Sequence, residues 1–131
     1  MTNNGVDANL DGSTNDRAEL VGDPTLSNPT AAEWFNTSAF AKNAAVTGQP
    51  VDGNSPRNFL DGPGYKVVDL AVSRNVPLRG TAKLTFRVEA TNAFNIVNLG
   101  QPGNAVGSAT FGVIRTANAM RKVQLGVRLS F

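Results

Sequence analysis

The chain has 131 residues, 40% of them hydrophobic, with thirteen Gly, seven Pro and a formal charge of +2 from twelve Lys and Arg against ten Asp and Glu. It has no Cys and no His, which removes disulfide and thiol chemistry together with the usual general base and the commonest imidazole ligand, so hydrolase and zinc mechanisms lack their residues and no enzyme is expected. The basic residues are dispersed toward the C-terminal half rather than clustered, so nucleic acid is not an expected partner.

No window supplies the roughly 18 apolar residues of a transmembrane helix, and no basic-then-apolar leader opens the chain. Any membrane span is therefore β, with its hydrophobicity hidden in alternation. Residues 1–63 read as one long irregular region punctuated by turns: Asn3-Asn4-Gly5, Asp11-Gly12, Gly22-Asp23-Pro24, Asn28-Pro29, Gly48-Gln49-Pro50, Asp52-Gly53-Asn54 and Asp61-Gly62-Pro63-Gly64. Only a turn of helix at 30–35 fits between them. So long a loop argues against a compact soluble domain, whereas outer-membrane barrels pair short periplasmic turns with long extracellular loops.

Within this region Asp7, Asn9 and Asp11 place oxygen ligands at alternate positions, Gly12 turns the chain, and Ser13 and Asn15 follow, with Asp16 next. This is the opening of a calcium loop, in which Asp7, Asn9, Asp11, Ser13 through its carbonyl, and Asp16 would wrap a hard cation. The bidentate Glu of such loops is absent, since Ala18 stands in its place. The other reading is a run of Asx-turns that binds nothing. Farther on, Trp34, Phe35 and Phe40 gather the only Trp with two Phe, as a small loop core or as an exposed aromatic platform.

The texture changes after Gly64. In 65–74, Val68, Leu70 and Val72 share one face with Lys66 and Arg74 at its ends, where long cationic side chains can snorkel to headgroups, while Val67, Asp69, Ala71 and Ser73 share the other. Residues 75–81 are a short connection. In 83–94, Leu84, Phe86, Val88, Ala90 and Phe94 alternate with Lys83, Thr85, Arg87, Glu89 and Thr91. Slipping this register by one residue would put Arg87 in lipid at a cost of about 2–4 kcal/mol near the midplane. Asp69 and Glu89 then face the lumen and are expected to pair with neighbouring Arg or Lys. A Gly- and Asn-rich connection follows, in which 111–115 extends the hairpin.

The last segment, 122–131, alternates without a break: Val123, Leu125, Val127, Leu129 and Phe131 against Lys122, Gln124, Gly126, Arg128 and Ser130. It would run about 30 Å as a strand, the length of a tilted membrane-crossing strand. It resembles the final strand of bacterial outer-membrane barrels, whose assembly signal is polar, any, Gly, two of any, hydrophobic, any, aromatic terminus, and Gln124, Gly126, Leu129 and Phe131 fill those places. The expected fold is all-β: an antiparallel meander with strands near 65–75, 83–95 and 120–131, so that 1–63 is extracellular loop and 64–131 is barrel wall.

A family resemblance then spans nearly the whole chain. Asp16-Arg17 with Leu20-Val21-Gly22-Asp23-Pro24, Trp34-Phe35-Asn36-Thr37 with Ala39-Phe40, Arg57-Asn58 with Gly62-Pro63-Gly64, Asp69-Leu70, Phe86-Arg87-Val88-Glu89-Ala90 with Asn92 and Phe94-Asn95, and Gln124-Leu125-Gly126 with Arg128-Leu129-Ser130-Phe131 resemble the C-terminal end of Oar-like TonB-dependent outer-membrane receptors. The resemblance implies a large barrel of about 22 strands, of which this chain holds the last three, together with a plug, coupling to the TonB complex through that plug, and uptake of a ligand. It also implies outer-membrane lipid and the barrel assembly machinery as partners and the bacterial outer membrane as location. On this reading Met1 opens a fragment, because three strands cannot close a barrel. The alternative from another class is a soluble extracellular β-sandwich module that binds carbohydrate at Trp34 and calcium at 7–16.

Overall fold

The structure is a computed structural model and describes residues 1–3, 7–14, 16–43 and 52–131. Its strands in chain order are β1 (Thr2–Asn3), β2 (Glu19–Leu20), β3 (Phe40–Ala41), β4 (Leu70–Pro77), β5 (Lys83–Thr91), β6 (Ala105–Val106) and β7 (Lys122–Ser130). They belong to two compact units, Met1–Pro63 with Leu99–Thr116, and Gly64–Asn98 with Ala117–Phe131. The turns expected at 4–5 and 48–50, and position 15 of the acidic loop, lie outside the described residues. No helix among the described residues is long and apolar enough to cross a membrane.

The second unit is a three-stranded antiparallel sheet in the order β4-β5-β7. Its register puts every apolar alternate on one side. Leu70, Val72 and Val76 of β4 lie opposite Ala90, Val88 and Leu84 of β5, which in turn lie opposite Val123, Leu125 and Leu129 of β7. Phe86 lies between Arg74 and Val127. The meander is therefore as expected, but β4 is shifted toward the turn, running from Leu70 through Pro77 rather than over 65–75. Pro77 can close the ladder because it is the last residue of an outer strand, where a missing N–H costs no inner hydrogen bond. The turn shrinks to 78–82, closed by the Leu78 N–H on the Ala82 carbonyl at 2.8 Å, with Gly80 at φ +72°.

Three further expectations change with this shift. Arg74 is not at the end of its face, since Val76 lies beyond it. Phe94 is not on the ladder, which ends at Thr91 and gives way to a turn in which Asn92 (φ 49°) and Asn95 (φ 53°) are left-handed. Asp69 pairs with no cation among the described residues; its carboxylate accepts the Asn92 N–H at 2.9 Å. Glu89 does pair, with Arg87 on the same side of β5 at 2.5 Å.

Where the ladder stops, side-chain amides continue it. Asn98 accepts the Lys66 N–H at 2.7 Å and donates to the Lys66 carbonyl at 2.8 Å, reproducing the two bonds of a strand neighbour. Asn92 accepts the Ile96 N–H and donates to the carbonyls of Ile96 and Ala119. Both Asn residues are buried, and their polar groups are engaged. Lys66 is thus held by Asn98 although 65–69 is not part of the ladder.

The first unit is mostly irregular, with a small aromatic core. Phe35, Phe40 and Phe111 meet edge to face at centroid distances of 5.1–5.6 Å, and Phe59 leans on Phe40 at 6.1 Å. Ala18, Ala39 and Val106 complete the buried cluster. The helical turn expected at 30–35 is instead a reciprocal pair of hydrogen bonds between Thr30 and Glu33, and a 3-10 turn falls at Thr37–Ala39, capped by the Asn36 side chain on the Ser38 N–H. Residues 111–115, expected to extend the hairpin, pack here with the rest of 99–116: Trp34 donates to the Gly112 carbonyl, Ile114 to the Ala31 carbonyl, and β6 pairs in parallel with β1. Gly53 lies so close to the Arg17 and Ala18 carbonyls that a Cβ would meet them at 2.2–2.3 Å.

Asn98→Ala strands both backbone groups of Lys66 and should cost about 1–3 kcal/mol, lowering the temperature at which the folded band is lost in heat-modifiability gels. A wild-type transition in that variant would show that the amide bridge carries no stability.

Candidate functional site

The apolar side of the sheet is uncovered. Val72 is 69% exposed, Leu125 75% and Val127 67%, far more than a soluble core strand allows. Nine ladder residues span about 30 Å, and a tilt of about 40° makes that roughly 23 Å of height, close to the apolar band of an outer-membrane barrel. Arg74 stands one row in from the turn. That row is worth about 5 Å of height at the same tilt, within reach of a guanidinium extended toward headgroups. A β-sandwich would need a second sheet of matching size, and the other sheets among the described residues are pairs of two-residue strands.

The opposite side is polar. Ser73, Asn75, Thr85, Arg87, Glu89, Gln124 and Arg128 project from it, with the Thr85 hydroxyl donating to Asn75 Oδ1 at 2.8 Å and Arg87 paired with Glu89. Of the four C-terminal signal positions, Gln124 lies opposite Glu89 and Gly126 opposite Arg87 on this side, whereas Leu129 lies opposite Leu84 on the apolar side. Phe131 falls one residue past β7 and is 97% exposed. Gln124, Gly126 and Leu129 thus share a strand that Phe131 follows, and the four do not converge on one site.

The acidic loop does converge. Carboxylate oxygens of Asp7, Asp11 and Asp16 lie within 4.8 Å of one another. Asp16 is only 6% exposed, and its Oδ2 accepts the N–H groups of Ala8 and Asn9. Asp7 accepts from the Asp11 and Gly12 N–H groups, Asn9 also accepts from the Asp11 N–H and donates to Asp11 Oδ2, and Asp11 accepts the Ser13 N–H at 2.7 Å. Asx-turns thus build the loop, with Gly12 at φ +88° turning it. The same turns aim three carboxylates at one point, a donor set of hard oxygens that fits calcium in type. Ala18, where a bidentate Glu would stand, is fully buried and supplies nothing.

One ion pair has no local signal in the sequence. Arg17 reaches across thirty-five residues to Asp52, with Nε at 2.9 Å and Nη2 at 2.6 Å from one carboxylate oxygen, and that hydrogen bonding holds the Asp52 carboxyl below the usual carboxylate range. Trp34 is fixed by its Nε1–H on the Asp61 carbonyl at 2.9 Å and packs on the aromatic cluster, which gives the loop-core reading of that segment its physical content.

No curated protein and no solved structure matches the chain. The sequence profile of the outer membrane beta barrel domain matches residues 1–124, nearly the whole length. With an all-β antiparallel fold, an uncovered apolar face of membrane height and a polar face behind it, the chain belongs to the outer membrane beta barrel domain family and resides in the bacterial outer membrane.

Proposed function

We propose that this chain is the C-terminal wall segment of an Oar-like, TonB-dependent receptor that takes up a ligand across the outer membrane. The observation that carries the reading is the single-faced register of β4, β5 and β7, which gives lipid one side and the barrel interior the other. The ordered motifs from Asp16-Arg17 to Phe131 supply the finer resemblance. In this reading the short turn at 78–82 is periplasmic and the first unit is extracellular, because outer-membrane barrels place short turns inside and long loops outside. The chain serves as wall and surface and has no catalytic role.

In cells expressing the full-length parent, in vivo cross-linking should capture it on TonB, and deleting the parent's segment N-terminal to the barrel should abolish that product. A parent that never cross-links and conducts ions in planar bilayers as an open pore would overturn the energy-coupled reading while leaving the barrel intact.

Phe131 acts at assembly rather than in folded stability. A ring beyond the ladder contributes little apolar contact, yet an aromatic terminus on a free strand edge is a feature that strand augmentation can read. Deleting Phe131 in the parent should lower its outer-membrane level severalfold, whereas Ser73→Ala on the polar side should leave it unchanged. Equal levels in fractionated membranes would make the terminus simple wall.

A second reading is carried by the convergence of Asp7, Asp11 and Asp16. It gives the acidic loop weak calcium affinity, roughly 10⁻⁴–10⁻³ M, the range of extracellular modules. Isothermal titration should register a saturable calcium heat that Asp11→Ala removes; a flat wild-type titration would leave the loop as Asx-turns alone.

A further inference from the structure

Gly126 sits in the middle of β7 with no conformational reason to be glycine. Its φ is not positive, and an added Cβ would meet nothing closer than Arg87 Cβ and the Arg87 carbonyl, both at an ordinary 3.9 Å. Besides filling the glycine place of the C-terminal signal, Gly126 leaves room on the polar side for close approach by a ligand or another backbone. Around it the polar side opens into a groove of about 370 Å³.

The chemistry of that groove is one-sided. Lys83, Arg87 and Arg128 line it, brought into neighbouring rows by the pairings Lys83 to Ser130, Thr85 to Arg128 and Arg87 to Gly126. Of the three cations only Arg87 has a carboxylate partner, Glu89; Lys83 and Arg128 have none among the described residues. The Thr85 proton is engaged by Asn75, which leaves the Ser130 hydroxyl to donate into the groove. Like charges gathered on one face repel unless an anion joins them.

We propose that this groove binds an oxyanion, a phosphate or carboxylate group carried by a solute in the barrel interior, seated over Gly126 between the guanidinium groups of Arg87 and Arg128 with Lys83 at its rim. The solvent-facing role of the groove rests on the barrel reading above; its charge and shape do not. Arg128 is free for a two-point contact with the anion, and Arg87 can swing from Glu89 to share it. Gly126 supplies the room that a side chain would fill.

The test uses the full-length parent in nanodiscs of zwitterionic lipid, titrated at constant ionic strength with inorganic phosphate in one arm and citrate in the other. The arginine Nε–Hε resonances are followed by NMR. Arg87 and Arg128 should shift saturably with one shared constant, and the tighter arm identifies the anion class. Gly126→Leu, which fills the groove without changing charge, should weaken binding at least tenfold, and Arg128→Gln should do the same should the glycine variant fail to insert. Shifts that are absent, or that appear equally at Arg115 and Arg121, would overturn the proposal. A spin label at Leu125 reports separately on lipid contact, so failure of the barrel reading is distinguishable from failure of the groove.

Discussion

Hydrocarbon offers no partner to a peptide N–H or C=O, so a chain at membrane depth must satisfy its backbone within the protein. That constraint organises the second unit. The ladder meets it on both edges of β5 and on the β5 side of β4 and β7. Beyond Thr91, where the chain must turn, left-handed Asn92 and Asn95 bend it, and the amides of Asn92 and Asn98 take over the bonds that a neighbouring strand would have made. Side-chain amides suit this task because each carries a donor and an acceptor in the geometry of a peptide group.

Alternation was legible because it is enforced twice, once by lipid and once by water. Leu84, Phe86 and Val88 share a face with Leu129, Val127 and Leu125 as their period of two requires. Strand ends were less legible. Residues 65–69 alternate like a strand, but pairing depends on a partner, and β5 turns away at Thr91. Pro77 looked like a turn residue and is instead the last rung of an outer strand. The acidic loop was readable at the level of spacing: Asp7, Asp11 and Asp16 converge as the pattern suggests, while the burial that commits Asp16 to backbone N–H groups is a tertiary fact.

The irregular half was the least legible part, for a physical reason. Its stability comes from contacts between segments far apart in sequence, such as Phe35 with Phe111, Arg17 with Asp52, and Gly53 against the Arg17 and Ala18 carbonyls. No local period announces such contacts. Turn residues reveal where the chain bends, and a handful of aromatics then decides what it bends toward.

The parallel pairing of β1 with β6 joins Thr2 to Ala105, so the two edges of the first unit are separated by the entire β4–β5 hairpin. In a chain made from its N-terminus, Thr2 can bridge Arg17 early, but its pairing with Ala105 waits until about a hundred further residues have emerged. Contacts of such long sequence separation form late, because loop closure must precede any gain from them. Closure of the loop body thus waits on more chain than the β4–β5 hairpin that it brackets. Phe35, Phe40 and Phe59 can meet before then, but their cluster gains Phe111 only when 99–116 arrives.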